Sequence, residues 1–592
     1  MAQVSPAFAV VCLIALTGIC SSCSQQEVDP SDEITSGQQS DVESSRPSKN
    51  ASIPKSSNSE VAATIIRFRD RTAESGLRGT YRNDEEANHY SILESLGGGV
   101  ALFDFDLDGD LDVFVPTGGK YGPNGEIRGL PPKLFRNEGN WQFTDVSLEA
   151  GLEADWHYSH GAAAADYDND SYPDILITGY GGLTLLRNQG NGTFKEQTKT
   201  AKLDDSLWSS SAAWGDINGD GHLDLYVAHY VDWSFDNHPF CQGPTRDSQE
   251  ICPPRRFEPL RDILYLNNGD GTFRDGSDDC GLRSDGKGLG VIMADIDVDG
   301  DLDLYVANDT VLNFLYRNDG QGNLKDISVT SGTGYSGRGT PDGSMGTDLG
   351  DYNLDGLPDI WVANYERESF GLYRNVGDGL FRYASLATGV TAVEGLFVGW
   401  GSVFADFDLD GDEDVFTSNG HVLRHPSGVP VRQLPLLFEN LKGQRFRNVA
   451  DDIGAYFAEP HSGRGVAVGD LDNDGDPDLV ISHVNEPATV LENITPHADH
   501  HWLGVIFASE NPARNLIGAV AKIQTSSGVQ IRQVKGGCSY ASTNDNRLLF
   551  GLGATKDVQV LSVRWPDGSE QTIHQPPIDQ YVTVTYDPET TK

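Results

Sequence analysis

Short apolar runs and acid-rich stretches alternate along residues 99–493 in one fixed order. Each unit opens with a run of small residues such as Gly99-Val-Ala-Leu-Phe103, with equivalents at 161–165, 290–294 and 465–469. A nine-residue acidic stretch follows, then a run like Asp112-Val-Phe-Val115 or Asp303-Leu-Tyr-Val306. Two further runs flank a Gly-rich turn, as in Leu134-Phe-Arg-Asn137 and Phe143-Thr-Asp145. The same hairpin recurs at Leu186/Phe194, Tyr265/Phe273, Tyr316/Leu324, Tyr373/Phe381 and Phe438/Phe446. Short β-branched and aromatic runs bounded by Gly and Asp predict strands, four to a unit. Four-stranded units repeated in this way close radially. The expected fold is therefore all-β: a seven-bladed β-propeller over 61–495, with the Gly-rich first strands packed near its axis. Residues 496–592 read as a small C-terminal β-rich domain. Phe68-Arg-Asp70 resembles a fourth strand but precedes the first unit, whereas Val490-Leu-Glu-Asn493 opens a hairpin that lacks one. The N-terminal strand is expected to complete blade 7.

The acidic stretch carries the chemistry. Positions 1, 3, 5 and 9 are Asp104, Asp106, Asp108 and Asp112 in the first copy, and Asp166, Asp168, Asp170 and Asp174 in the second. Then come Asp216, Asn218, Asp220 and Asp224; Asp295, Asp297, Asp299 and Asp303; and Asp351, Asn353, Asp355 and Asp359. The last two copies hold Asp406, Asp408, Asp410 and Asp414, and Asp470, Asp472, Asp474 and Asp478. Alternate side chains on a tight loop converge, and converging carboxylates repel unless a cation lies between them. Hard oxygen donors on a flexible loop suit Ca²⁺, up to seven ions in all. Position 7 varies (Asp110, Tyr172, His222, Asp301, Leu357, Asp412, Asp476), so its backbone carbonyl is the expected ligand. An EF-hand needs Glu at position 12; here that position is Val, Ile or Thr, within the next strand.

This repeat changes the meaning of the charge. The 592 residues include 88 acidic and 43 basic ones, a net charge of −45. That balance excludes nucleic acid and anionic membrane surfaces as charge-driven partners. Yet the seven windows alone hold 30 Asp and Glu413, with no Lys or Arg, so much of the acid is local.

Residues 7–19 form an apolar run of secretory-signal length, ahead of Cys20 and Cys23. Ser21-Ser22-Cys23 resembles a bacterial lipoprotein cleavage site, with Cys23 the lipidated residue and 1–23 the leader. Residues 24–60, rich in Ser, Gln, acid and Pro, read as a disordered tether. The expected location is outside the cytoplasm, at the cell surface or in the periplasm, with a lipid anchor as the only membrane contact. In that compartment Cys241 and Cys252 are expected to close a short loop inside the long insert 231–260.

The loops after each second strand leave on the face opposite the acidic loops. Five residues beyond position 9 stand His229, Asn308, Asn364, Asn419 and His483. They are candidates for a ligand-binding ring, or else cap strand ends through local hydrogen bonds. Inserts 116–132, 231–260 and 420–435 leave from the same face, and Trp156, His157, His160, Trp208, Arg338, Trp400, His461 and Arg464 lie in the segments leading into first strands. No H-E-x-x-H or G-x-S-x-G is present, and Gly281–Lys287 lacks the Ser/Thr and helix of a phosphate loop. The chain is expected not to be an enzyme but a monomeric binding or adhesion module for an extracellular glycan or protein. A polysaccharide-active hydrolase or lyase on the same scaffold is the alternative.

The repeats resemble FG-GAP/VCBS repeats, the calcium-loop propeller repeats of integrin α-subunit heads. Asn515-Leu-Ile-Gly518-Ala519, Phe550-Gly-Leu-Gly553 and Trp565-Pro-Asp-Gly568 resemble the ASPIC/UnbV domain. The combination is similar to bacterial members of the cartilage acidic protein family, which implies extracellular calcium-binding and interaction roles. It covers about residues 61–585.

Overall fold

The computed structural model describes residues 63–497, 499–509 and 516–586. The leader, Cys23 and the whole tether, 24–60, lie outside them.

Seven four-stranded antiparallel sheets repeat along the chain. Blade 1 runs Ala101–Phe103, Asp112–Val115, Lys133–Asn137 and Phe143–Asp145, in that spatial order. The first strands of blades 2 to 7 are Tyr158–Ala165, Ser209–Gly215, Gly288–Ala294, Ser344–Gly350, Gly399–Ala405 and Gly463–Gly469. Each contacts the first strand of the next blade, and that of blade 7 contacts that of blade 1, so the ring is closed. Second strands such as Asp224–His229 and Asp303–Asn308 are buried at every position because blades cover both of their faces. Fourth strands are the outer edges: in Phe143–Asp145 and Phe273–Asp275 only the phenylalanine is buried.

Blade 7 consists of Gly463–Gly469, Asp478–His483, Glu486–Asn493 and the N-terminal Phe68–Asp70. Phe68 pairs with Asn493, and Asp70 with Leu491. Strands from the two ends of the repeat array thus share one sheet, as the sequence pattern indicates.

The C-terminal domain has a three-stranded sheet of Leu548–Gly553, His501–Ser509 and Tyr581–Tyr586, and a four-stranded sheet of Val529–Gln533, Val520–Thr525, Val558–Arg564 and Glu570–His574. It is not a free appendage. Its segment 534–547 enters the ring and bonds to the inner strands. The Gly536 amide donates to the Met293 carbonyl (3.0 Å), Thr347 to Ser539 (2.9 Å), Ala162 to Ala541 (3.1 Å), Leu102 to Thr543 (3.0 Å) and Asp545 to Val468 (3.0 Å). These bonds reach blades 1, 2, 4, 5 and 7. A Cβ at Gly99 would come within 1.8 Å of the Ala541 carbonyl oxygen, so this glycine, just ahead of the inner strand of blade 1, lets the plug approach.

Candidate metal centres

The seven acidic loops share one backbone course. Positions 4 and 6 are left-handed in every copy, from Leu107 (φ +61°) and Gly109 (φ +97°) to Asn473 (φ +60°) and Gly475 (φ +97°). Val298, Leu354 and Leu409 hold that conformation too, at a cost of about 1–2 kcal/mol each. Position 1 fixes the course. Asp104 accepts the amides of Asp108 (3.1 Å) and Gly109 (2.9 Å). The equivalent bonds recur at Asp166, Asp216, Asp351, Asp406 and Asp470.

The tight course turns alternate carboxylates inward. Oxygens within 4.8 Å of one another come from Asp104, Asp106 and Asp108; Asp166, Asp168 and Asp174; Asp295, Asp297 and Asp299; Asp406, Asp408 and Asp410; and Asp470, Asp472 and Asp478. These five groups can hold a metal ion. The loops with Asn at position 3 differ. Asn218 Oδ1 accepts the Asp220 amide (3.0 Å), and Asn353 donates to Asp359 (2.9 Å).

Each position-9 aspartate braces its loop. Asp112 accepts the amides of Phe105 (3.0 Å) and Asn137 (2.9 Å). Burial pushes the carboxyls of Asp112 and Asp224 up to about 8 and those of Asp174 and Asp359 up to about 9, and neighbouring loop carboxylates push the same way. Asp106, Asp168, Asp297 and Asp472, all at position 3, each keep a buried Oδ1 without a donor among the described residues. Buried carboxylate oxygens facing other carboxylates, with no donor of their own, fit a cation, and the all-oxygen donor set fits a hard one.

A second sevenfold feature escaped the sequence reading. The asparagine at the end of each third strand, or in blade 4 just past it, bonds its own loop and the loop of the preceding blade. Asn188 donates to Pro173 (3.2 Å) and Phe105 (2.8 Å), and Asn267 to Leu223 and Tyr167 (both 3.0 Å). Asn137, Asn318, Asn375, Asn440 and Asn493 do the same. The signal was the Asn that recurs in Phe-Arg-Asn, Tyr-Arg-Asn and Phe-Glu-Asn.

The C-terminal domain docks on this loop face. Arg564 pairs with Asp295 and Arg532 with Glu413 (3.1 Å), while Lys535 of the plug pairs with Asp348 in the inner strand of blade 5. Tyr581 Oη donates to Asp470 (2.8 Å), and Arg547 bonds the Asp470 carbonyl (2.5 Å). Blade 6 and 7 loops are consequently covered: Asp406, Asp408, Asp412, Asp470 and Asp476 are all buried.

The opposite face corrects the expected ligand ring. His229, Asn308, Asn364, Asn419 and His483 are all buried. His229 Nε2 lies 2.9 Å from Asp205, and His483 Nδ1 3.0 Å from the Pro487 carbonyl. Asn308 donates to Leu312 (2.9 Å), Asn364 to Ser369 (2.7 Å) and Asn419 to Leu434 (2.9 Å). They cap strand ends and turns, so no ring is open to a ligand. His160, Trp208, Trp400 and Arg464 are likewise buried, around Tyr540 at the plug tip. Trp208 Nε1 donates to His160 (2.7 Å), and the Arg464 guanidinium lies 4.3 Å from the Trp400 ring centre. Cys241 and Cys252 form a disulfide within the blade 3 insert, while Cys280 and Cys538 are buried and unpaired among the described residues.

Residues 104–177, 166–227, 259–306, 295–362 and 351–417 match the FG-GAP-like repeat, and 509–591 match the ASPIC and UnbV domain. The chain is an FG-GAP-repeat protein with a C-terminal ASPIC/UnbV domain. The seventh loop, from Asp470, lies beyond the matched repeats yet shares their geometry. The protein is 25% identical to cartilage acidic protein 1 of Xenopus tropicalis over 502 residues, covering 80% of this chain and 71% of that one. To the Homo sapiens protein of that name it is 25% identical over 501 residues, covering 80% and 69%. Among solved structures, an Agrocybe aegerita lectin recognising non-reducing terminal N-acetylglucosamine matches with 17% identity and a TM-score of 0.37, over 60% of this chain and 81% of that one. The rhamnogalacturonan lyase YesX matches with 13% identity and a TM-score of 0.31, over 78% and 68%.

Proposed function

We propose that this protein is an exported propeller, braced by Ca²⁺ in its acidic loops, that serves as a non-catalytic binding or adhesion module for a glycan or protein at the cell surface. Cys23 would supply its lipid anchor. Ca²⁺ takes six to eight oxygens on flexible loops, and it would offset the carboxylate repulsion that burial otherwise intensifies.

One observation carries the binding role: the composite surface opposite the loops. Arg424, in the blade 6 insert, bonds the Glu85 carbonyl (2.6 Å) and Asn88 Oδ1 (3.1 Å), pairs with Glu94, and stacks 4.4 Å from the Tyr90 ring centre. Glu250, in the disulfide-closed blade 3 insert, accepts the amides of Arg424 (3.0 Å) and His425 (2.8 Å). Three segments far apart in sequence are thereby fixed as one surface on a rigid ring, the usual construction of a recognition site. Glycan arrays and surface-protein pull-downs, with Ca²⁺ and after chelation, test this. Ca²⁺-dependent capture without turnover supports it, and release of cleaved product contradicts it.

One observation favours the enzymatic alternative. On the same face burial pushes the Glu368 carboxyl up to about 8, beside Asp342 and Asp309, as a general acid in a glycan-cleaving site would require. Product formation abolished by Glu368→Gln would establish that reading.

A further inference from the structure

Loop 7 differs from the other six in what surrounds position 7. Asp110 and Asp412, at that position in loops 1 and 6, each accept a hydrogen bond, from Asn473 Nδ2 (2.7 Å) and the Lys442 amide (2.9 Å). Asp301 in loop 4 is half-exposed. Asp476 is 1% exposed, and neither of its carboxylate oxygens has a hydrogen-bond partner among the described residues. Facing it is His497, in the segment joining the propeller to the ASPIC/UnbV domain. Its Nδ1 is buried, has no hydrogen-bond partner among the described residues, and lies 3.7 Å from Asp476 Oδ2. That separation is too long for a hydrogen bond. It is close to the roughly 3–3.5 Å between neighbouring donors on one cation with ligand bonds of about 2.0–2.2 Å.

The surroundings are built as a closed site. The Trp502 ring lies so close over Gly475 that a Cβ there would come within 1.9 Å of it. Tyr581 holds Asp470, and Trp502 and Tyr581 meet edge to face at 5.3 Å. The ASPIC/UnbV domain thus roofs loop 7. Histidines near other loops are engaged: His500 Nδ1 lies 2.7 Å from the Asp408 carbonyl, and His222 Nδ1 3.3 Å from Asn169 Nδ2.

We propose that loop 7 takes a divalent cation of the zinc or first-row transition class, with the Asp476 carboxylate and His497 Nδ1 among its ligands. An imidazole donor favours those ions, whereas Ca²⁺ takes oxygen. The proposal rests on the reading of the acidic loops as cation sites, but it separates loop 7 from the rest by metal preference.

The test uses the full chain saturated with Ca²⁺ and titrated with Co²⁺, followed by visible absorption and tryptophan quenching. Expected is one equivalent of Co²⁺ with a nitrogen-ligated spectrum, displaced by Zn²⁺ and not by Ca²⁺. His497→Ala and Asp476→Asn should each weaken it at least about tenfold. The His497 variant alters a partly exposed linker residue, so it keeps the test usable if the buried Asp476 variant fails to fold. Co²⁺ binding unaltered by His497→Ala, or displaced by Ca²⁺, overturns the proposal. If Ca²⁺ fills the other loops in that case, this inference fails alone; if no loop takes Ca²⁺, the wider reading fails with it.

Discussion

Asn137 of blade 1 donates its side-chain amide to the Leu471 carbonyl of blade 7 at 2.9 Å, across the seam where the ring closes. The same amide bonds the Leu111 carbonyl of its own loop at 3.2 Å. The acidic loops are therefore linked into a continuous circle by seven asparagines, and loop geometry in one blade is transmitted to the next.

Replacing Asn137 by Ala leaves two buried carbonyls without donors. The expected loss is about 1–3 kcal/mol in urea unfolding. Asn188→Ala breaks the equivalent link between blades 1 and 2 and should cost a similar amount. A loss near zero at both positions would show that the clamp is dispensable.

Tyr540 is buried at the tip of the plug. Its ring meets Trp400 edge to face at 4.7 Å, and its hydroxyl accepts the Gly97 amide at 2.9 Å. Tyr540→Ala should destabilise the whole propeller by about 3–5 kcal/mol through the cavity it leaves. Tyr540→Phe should cost about 1 kcal/mol. Calorimetry distinguishes a single weakened transition from melting of the C-terminal domain alone, which would mean that the plug does not brace the ring.

Metal should oppose the pH dependence of the metal-free chain. In the metal-free chain Asp112, Asp174, Asp224 and Asp359 have carboxyls raised to about 8 or 9, against an unfolded value of about 3.9. The folded state then binds more protons than the unfolded one between these limits, so stability falls as pH rises from about 4 to 9. Ca²⁺ binds the deprotonated loops, so the stabilisation it adds should grow over the same range. Melting curves at pH 5.5 and 8, with chelator and with Ca²⁺, check both slopes.

The Cys241–Cys252 bridge spans a sequence separation of 11. Reduction should loosen the blade 3 insert by about 2–3 kcal/mol locally and weaken any binding at the composite surface, leaving the ring intact. Thiol titration should find Cys280 and Cys538 unreactive until the chain unfolds.

Much of this architecture is legible in the sequence because it repeats. The spacing of Asp104 to Asp112, copied seven times, gives the loops, and Phe68-Arg-Asp70 before the first unit gives the closing strand. What occurs once leaves no period to detect. Segment 534–547 shows no strand pattern, and its role as a plug depends on glycines such as Gly99, hundreds of residues away. His229 and Asn364 occupy equivalent positions, but equivalence serves strand-end capping as readily as ligand binding. Only their burial decides between the two.

The central claim is that the acidic loops are cation sites on which the ring depends. Melting the chelator-stripped protein, with metal removal verified, and melting it again after Ca²⁺ is restored tests it most directly. The account predicts a lower Tm without metal and its recovery as several Ca²⁺ ions per chain are taken up. A melting curve unchanged by removal and return of Ca²⁺ would contradict it.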